Sequence, residues 1–205
     1  MPGRVETVAG EELSDAQAER RARIVASALS LARQGGFGAV QMREVASGAE
    51  VALGTLYRYF PSKEHLLLAI QLDEVRALVG AVEAKPPRGE RDADRLKDVF
   101  GRAVRGLGQQ PKVASAMIRA LVTGEADLVE EVAAVRATTL EAMTAAFGSG
   151  ALTERQVETA DLLYHVWLSA MVGWVSGLQE FEWIEPELGR AIDRLVPDEA
   201  REDTA

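Results

Sequence analysis

The chain contains 205 residues with a formal net charge of −9, which excludes a surface that is basic throughout but still allows a locally basic patch. Hydrophobic residues make up 47% of the chain and charged residues 27%, as in folded globular proteins. Cysteine is absent, which excludes disulfides and thiolate metal sites and suits a cytoplasmic location.

Both ends of the chain are predicted to be disordered tails. Residues 1–14 carry three glutamates and lack the apolar run of a secretory signal, and residues 197–205 are polar. An internal stretch, 162–179, has no formal charge and approaches the length of a membrane span. Its glycines, serines and histidine, and the acidic residues on both sides, favour a helix buried on most of its surface, without membrane contact.

Apolar residues recur at helical spacing along the chain, and no stretch alternates as a strand does. We therefore predict an all-α protein. Helices are expected over 16–34, 40–48, 52–59, 63–83, 93–109, 112–123, 126–147, 153–180 and 185–196. A polar connector with two prolines lies at 85–94. The expected domains are an N-terminal three-helix unit, 15–62, and a larger helical body, 63–196.

Residues 40–66 predict two short helices joined by a tight turn. Val45, Ala46, Val51 and Leu56 are spaced to pack between these helices. A helix-turn-helix packs in this way and leaves its second helix free to enter the major groove of DNA.

This segment, with the helix before it, resembles the DNA-binding domain of the TetR family of transcriptional regulators over about residues 17–70. The shared pattern consists of Val45-Ala46, Ala49, Val51, Gly54-Thr55-Leu56-Tyr57, Tyr59-Phe60-Pro61, Ser62-Lys63 and Leu66. The resemblance implies that the helical body binds a small-molecule effector and forms a dimer. A looser likeness, in YHVWLSAMVGW at 164–174, points to the branch with the actinobacterial repressors of cholesterol catabolism, whose ligands are sterol-derived CoA thioesters.

The residue chemistry of the motif also fits DNA contact. Hydroxyl and ammonium groups that bind phosphate oxygens are carried by Thr55, Tyr57, Tyr59 and Lys63. Positions suited to base edges and thymine methyls are Arg43, Leu53 and Gly54. The resemblance assigns DNA contact to these seven positions, and Gln41 and Arg58 are two further candidates. The alternative for Tyr57 and Tyr59 is a place in the core, which we expect for Phe60.

Three positions depart from the family pattern. Gln41 and Ala52 stand where helix-capping residues are usual, and Glu50 stands where glycine is usual in the turn. A left-handed backbone at a non-glycine residue costs about 1–2 kcal/mol, which a fold can bear. The departures leave an alternative function open, that of a non-enzymatic helical sensor or protein-interaction adaptor that has lost specific DNA binding.

Charge is divided unevenly along the chain. Residues 15–65 contain seven Lys/Arg and five Asp/Glu, for a net charge of +2, and the rest of the chain carries −11. This partition is expected when only one end of a protein meets phosphate.

The body contains a small-residue stripe and a set of large apolar residues. Ser169, Gly173 and Gly177 recur every four residues beside Trp174, and the resemblance implies that they form a dimer interface. Close packing inside one subunit is the alternative. The candidates to line an effector cavity are Phe100, Met117, Met143, Tyr164, Trp167 and Met171. Ordinary core filling explains each of them individually as well.

The sequence predicts no enzyme, metal site or cofactor. The histidines are His65 and His165, and neither stands in a metal-ligand spacing. Nucleophile-elbow, P-loop and dinucleotide-binding patterns are also lacking. We therefore expect a cytoplasmic homodimeric repressor that a small apolar or CoA-thioester effector releases from a palindromic operator.

Overall fold

A computed structural model describes residues 14–123, 126–148 and 150–196. The tail predicted at 1–14 lies outside these residues except for Ser14, which is the N-cap of the first helix, and the tail predicted at 197–205 lies wholly outside them. Throughout the described ranges the secondary structure is helical and contains no strand, which confirms the all-α prediction.

The described ranges contain α1 (Asp15–Ala39), α2 (Met42–Gly48), α3 (Leu53–Tyr59), α4 (Lys63–Ala84), α5 (Asp92–Gln109), α6 (Pro111–Leu121), α7 (Val129–Thr144), α8 (Glu154–Val175) and α9 (Ile184–Leu195). Single turns of 3₁₀ helix lie at Ala126–Leu128, Ala145–Phe147 and Phe181–Trp183. The backbone of α1 is non-helical at Gly35 and Gly36, where the sequence predicts the end of the first helix, and a last turn follows.

Helix α8 ends at Val175, whereas the sequence predicts a helix that continues to residue 180. Gly177 follows in a left-handed conformation with φ of 75°. The Leu178 amide donates to the Gly173 carbonyl at 2.9 Å, and the Gly177 amide donates to the Trp174 carbonyl at 3.0 Å. This pair of hydrogen bonds is a Schellman motif, which satisfies the last carbonyls and ends the helix.

The chain divides into two compact units. Unit 1 comprises the described residues up to Gln71 together with Gln110–Val132. In it α1 packs against α2 and α6 around a core that includes Ile24, Ala28 and Leu56. Unit 2 comprises Leu72–Gln109 and the described residues from Ala133 onward, with α9 packed against α5 and α8. The domain boundary expected at Lys63 remains a prediction.

Across residues 14–123, 126–148 and 150–196, no helix is both long and apolar enough to span a membrane.

Candidate DNA-binding interface

The turn between α2 and α3 has left-handed backbone at Glu50, with φ of 54°. The Val51 amide donates to the Ala46 carbonyl at 3.0 Å, and the Glu50 amide donates to the Ser47 carbonyl at 3.2 Å. These two hydrogen bonds form a Schellman motif at the end of α2. The conformation explains why glycine is usual in the family at this position. The Glu50 side chain is exposed, so its charge carries no burial cost.

Three contacts from α1 and α2 hold this turn in place. The Ser27 hydroxyl donates to the Val45 carbonyl at 3.0 Å, and Arg23 Nε donates to the Ala49 carbonyl at 3.2 Å. A Cβ atom on Gly48 would lie 2.5 Å from Ser27 Oγ, so the two helices meet at a glycine. Arg23, Ser27 and Gly48 could not be singled out from the sequence, because their signal is a contact between helices and not a local pattern.

Helix α3 turns one side chain inward and leaves its other faces open. Leu56 is fully buried, and Val45 and Ala46 of α2 are buried with it, as the motif predicts. Tyr57 is 42% exposed and Arg58 is also exposed. A Cβ on Gly54 would meet nothing within 4 Å, so no packing inside this chain requires glycine there. Ala52 and Gln41 precede α3 and α2 without a side-chain cap, as their residue types imply.

Tyr59 and Phe60 at the end of α3 have different environments. Phe60 is 5% exposed, which confirms its core assignment, and the guanidinium carbon of Arg21 lies 5.9 Å from its ring centroid. Tyr59 is half-buried, and its hydroxyl accepts a hydrogen bond of 3.4 Å from Arg20 Nη1. The Tyr59 hydroxyl therefore lies beside a positive charge from α1, which favours a nearby phosphate.

The first turn of α4 is capped by Ser62. The Ser62 hydroxyl oxygen accepts a hydrogen bond of 3.3 Å from the His65 amide, as an N-cap residue does. Lys63 Nζ lies 3.8 Å from the centroid of the Phe37 ring, a cation–π contact that holds the half-buried lysine. Arg43 and Gln41 are exposed, and Leu53 and Thr55 are half-buried.

The predicted effector residues are divided between the two units. Met117, which is 4% exposed, belongs to unit 1. The remaining five belong to unit 2, where the Phe100 and Trp167 ring centroids lie 5.7 Å apart. Burial raises the pKa of the Tyr164 hydroxyl above its ordinary value, and nearby Arg136 partly offsets this effect.

The predicted dimer residues also differ in environment. Ser169 is exposed on α8, whereas a Cβ on Gly173 would lie 3.3 Å from Gln179 Cδ of the same chain. Trp174 packs edge-on against Phe181, with ring centroids 4.9 Å apart. Gly177 follows the end of α8 and is exposed. The close approach of Gln179 favours a small residue at Gly173, in line with the alternative of packing inside one subunit.

Unit 1 also contains an open groove with a volume of about 500 Å³. It is lined by Gly35, Gly36, Phe37, Gly38, Pro111, Lys112, Ser115 and Arg119. None of the predicted effector residues lines this groove. In the part of the chain that the structure describes, no group of three or more His, Asp or Glu side chains is arranged to hold a metal ion.

The buried residues Val45, Ala46 and Leu56 pack α2 against α3. The exposed side of α3 carries hydroxyl, guanidinium and apolar groups. This arrangement defines a helix-turn-helix protein of the class that binds DNA. Residues 24–70 match the sequence profile of the bacterial regulatory proteins of the tetR family, and residues 89–195 match that of a tetracyclin repressor-like C-terminal domain. The chain belongs to the TetR family, and it is a non-enzymatic transcriptional repressor.

Similar proteins cover nearly the whole chain. The HTH-type transcriptional repressor KstR of Mycobacterium tuberculosis is 35% identical over 197 residues, which are 96% of this chain and 90% of KstR. A TetR transcriptional regulator from Rhodococcus sp. RHA1 has a crystal structure that matches with a TM-score of 0.80 and 32% identity, over 90% of this chain and 100% of that one. These matches confirm the likeness to the actinobacterial branch.

A more distant structure shares the fold. FadR of Thermus thermophilus, a TetR-family repressor crystallised in complex with lauroyl-CoA, matches with a TM-score of 0.69 and 18% identity. The match covers 90% of this chain and 100% of FadR.

Proposed function

We propose that this repressor is a homodimer that binds a palindromic operator and is released by a bulky apolar effector carried as a CoA thioester. The observation that carries the proposal is the outer side of α3, where Tyr57 and Arg58 are exposed to solvent. Tyr57 is 42% exposed and Gly54 has open space beside it. We place the protein in the cytoplasm, where it can reach the chromosome.

The residues of the DNA-binding face divide into two groups. Phosphate contacts come from Thr55, Tyr57, Tyr59 and Lys63, since these side chains carry hydrogen-bond donors along α3 and at the start of α4. Base contacts come from Arg43, Leu53 and Gly54, because a guanidinium pairs with guanine and small apolar surfaces fit thymine methyls. Gln41 and Arg58 are exposed at the margin of the same face.

Exposed apolar residues in unit 2 support the dimer. Leu162 on α8 is 51% exposed, Leu178 after it is 83% exposed and Trp183 is 59% exposed. Large exposed apolar side chains are common at interfaces between subunits. Leu162 and Ser169 are seven residues apart and therefore share one face of α8. In a dimer, two recognition helices about 34–36 Å apart would read successive major grooves.

The effector class rests on the buried apolar side chains of unit 2 and on the related proteins. Phe100, Met143 and Met171 are at most 3% exposed, and such residues make walls that suit an apolar ligand. FadR of Thermus thermophilus, which shares the fold, was crystallised with lauroyl-CoA. KstR of Mycobacterium tuberculosis is 35% identical to this chain. We infer that this chain also takes a CoA thioester with a large apolar acyl group.

The mechanism of release that we propose runs through α4. Residues Lys63–Gln71 of this helix belong to unit 1 and Leu72–Ala84 belong to unit 2. An effector that favours another position of α4 changes the separation of the two recognition helices. A coupling free energy of about 1–3 kcal/mol would weaken operator binding about 5- to 150-fold.

The first experiment selects fragments of the source genome with the purified full-length protein at a stated salt concentration, followed by sequencing. We expect enrichment of a palindrome upstream of a gene cluster, because each protomer reads one half-site. No enrichment above non-specific binding, repeated with CoA thioesters present, would instead favour the adaptor that has lost specific DNA binding.

The second experiment measures release. Fluorescence anisotropy of the enriched duplex is followed while oleoyl-CoA, a steroid-acid CoA thioester or free coenzyme A is added. We expect the thioesters to raise the operator Kd at least fivefold and free coenzyme A to have little effect. An unchanged Kd with saturating thioesters would contradict the proposed effector class.

A further inference from the structure

His65 is a buried titratable side chain that none of the contacts proposed above uses. The residue is 9% exposed and lies in the first turn of α4. Its Nδ1 atom is 2.9 Å from Ser62 Oγ, and the same oxygen accepts the His65 amide hydrogen at 3.3 Å. Because this oxygen already accepts one hydrogen, the hydroxyl can donate its own hydrogen to Nδ1. The neutral imidazole then carries its ring hydrogen on Nε2.

The other side of the imidazole faces α7. His65 Nε2 lies 3.8 Å from Glu131 Oε1, which is beyond hydrogen-bond distance. Glu131 Oε2 is buried and has no hydrogen-bond partner among the described residues. The carboxylate attracts the Nε2–H group of the imidazole beside it, and this attraction restrains the His65 ring.

We propose that His65 is a positioning residue for DNA binding, and that it acts by holding the Ser62–His65 turn against Glu131. The inference rests on the proposed phosphate contact of Lys63, which lies between Ser62 and His65 in this turn. When the imidazole is held from both sides, the turn keeps one conformation and Lys63 Nζ stays above Phe37. When Glu131 moves away, Lys63 loses its fixed position.

Helix α7 gives this contact a route to the rest of the protein. Its residues Val129–Val132 belong to unit 1, and its remaining residues belong to unit 2. A shift of α7 along or around its axis therefore changes the distance between Glu131 and His65. Through the contact between Glu131 and His65, the position of α7 affects the position of Lys63, the lysine proposed to contact DNA.

The test uses the full-length protein and two fluorescein-labelled duplexes of about 30 base pairs, enough for two half-sites one helical turn apart. One is the duplex enriched from the genome and the other has random sequence. Glu131→Ala removes the carboxylate, and His65→Asn keeps an acceptor for Ser62 but removes the nitrogen that faces Glu131. Glu130→Ala is the matched control, because it removes an exposed carboxylate from the same turn of α7.

We expect each of the two variants to raise the Kd for both duplexes about threefold to tenfold, and the double variant to raise it no further. The direction of the change in Kd distinguishes a positioning role from a charge effect. Loss of a carboxylate by itself lowers the repulsion of DNA and tightens binding, as we expect for Glu130→Ala. The dependence of log K on log salt should also become shallower, by up to about one ion per protomer, as in Lys63→Ala. In a Lys63→Ala background, Glu131→Ala should not weaken binding further, and any change should be the small tightening expected for Glu130→Ala.

Wild-type affinity and salt dependence in both Glu131→Ala and His65→Asn would overturn the inference, and so would a full loss that persists without Lys63. Thermal unfolding of each variant checks that the protein is folded at the assay temperature. Where Glu131→Ala does not fold, Glu131→Gln removes only the charge and gives the same test. A wild-type protein that binds neither duplex would overturn the proposed function, and this inference with it.

Discussion

The residues proposed for DNA contact and those proposed for the effector differ in exposure. On the DNA-binding face, Tyr57, Arg58 and Arg43 project into open space although the core of unit 1 is complete without them. In unit 2, Phe100, Met143 and Met171 are at most 3% exposed, and ordinary core packing by itself would explain their burial. Exposed polar groups on a packed helix-turn-helix therefore indicate DNA binding directly. Buried apolar groups indicate an effector site only when related proteins are considered as well.

The largest effect tests the buried side of this comparison. Met171 is fully buried in α8, so Met171→Ala should lower the free energy of unfolding by about 2–5 kcal/mol if the residue fills a core. Urea denaturation monitored by circular dichroism measures the change. Val157→Ala is the control, since Val157 is 51% exposed on the same helix and its loss should change stability by about 0.5 kcal/mol or less.

The size of the Met171 effect separates core from cavity. A cost below about 1 kcal/mol would mean that the side chain borders an existing cavity, because little packing is then lost. That result would strengthen the assignment of an effector site in unit 2. A full cost would show that Met171 is structural.

Arg43→Ala tests the exposed side at one base pair. A bidentate guanidinium contact with guanine is worth about 1–3 kcal/mol, so discrimination at one operator position should fall about 5- to 150-fold. Binding to random-sequence DNA should change much less. A set of operator duplexes with single base changes gives the measurement, and a loss spread evenly over all positions would assign Arg43 to phosphate instead.

Lys63→Ala combined with Tyr57→Phe should weaken binding to every DNA sequence by about tenfold, because phosphate contacts carry no sequence information. The slope of log K against log salt should fall by about one per protomer. Lys97→Ala in unit 2 is the control, since it removes the same charge from a lysine paired with Asp193. A sequence-selective loss in the double variant would contradict its assignment to phosphate.

Much of the DNA-binding unit could be predicted from the sequence because its information is local. The spacing of Val45, Ala46 and Leu56 indicates a packed hinge, and Ser62 indicates a helix cap. The close approach of Gly48 to Ser27 and the hydrogen bond from Arg20 to Tyr59 could not be predicted, since each joins residues far apart in the chain.

The end of α8 shows the same limit in unit 2. Apolar residues at helical spacing reach Leu178, and the next proline in the sequence is Pro186, so the sequence predicts a longer helix than the structure has. Gly177 ends the helix by adopting a left-handed conformation. A single glycine within a helical pattern does not by itself predict the end of a helix. Gly173 is likewise explained by its neighbour Gln179, a contact that only the folded chain provides.

Substitutions at Glu50 give the smallest expected effect and test the turn between α2 and α3. Its φ of 54° is one that glycine adopts freely, so Glu50→Gly should raise the free energy of unfolding by about 1 kcal/mol. Glu50→Ala keeps the backbone cost and removes only the charge, which makes it the matched control. Both variants should bind DNA somewhat more tightly because a carboxylate is lost, while only Glu50→Gly should raise the thermal midpoint. Equal midpoints for the two variants would mean that the larger conformational entropy of glycine in the unfolded chain offsets the backbone strain that glycine relieves.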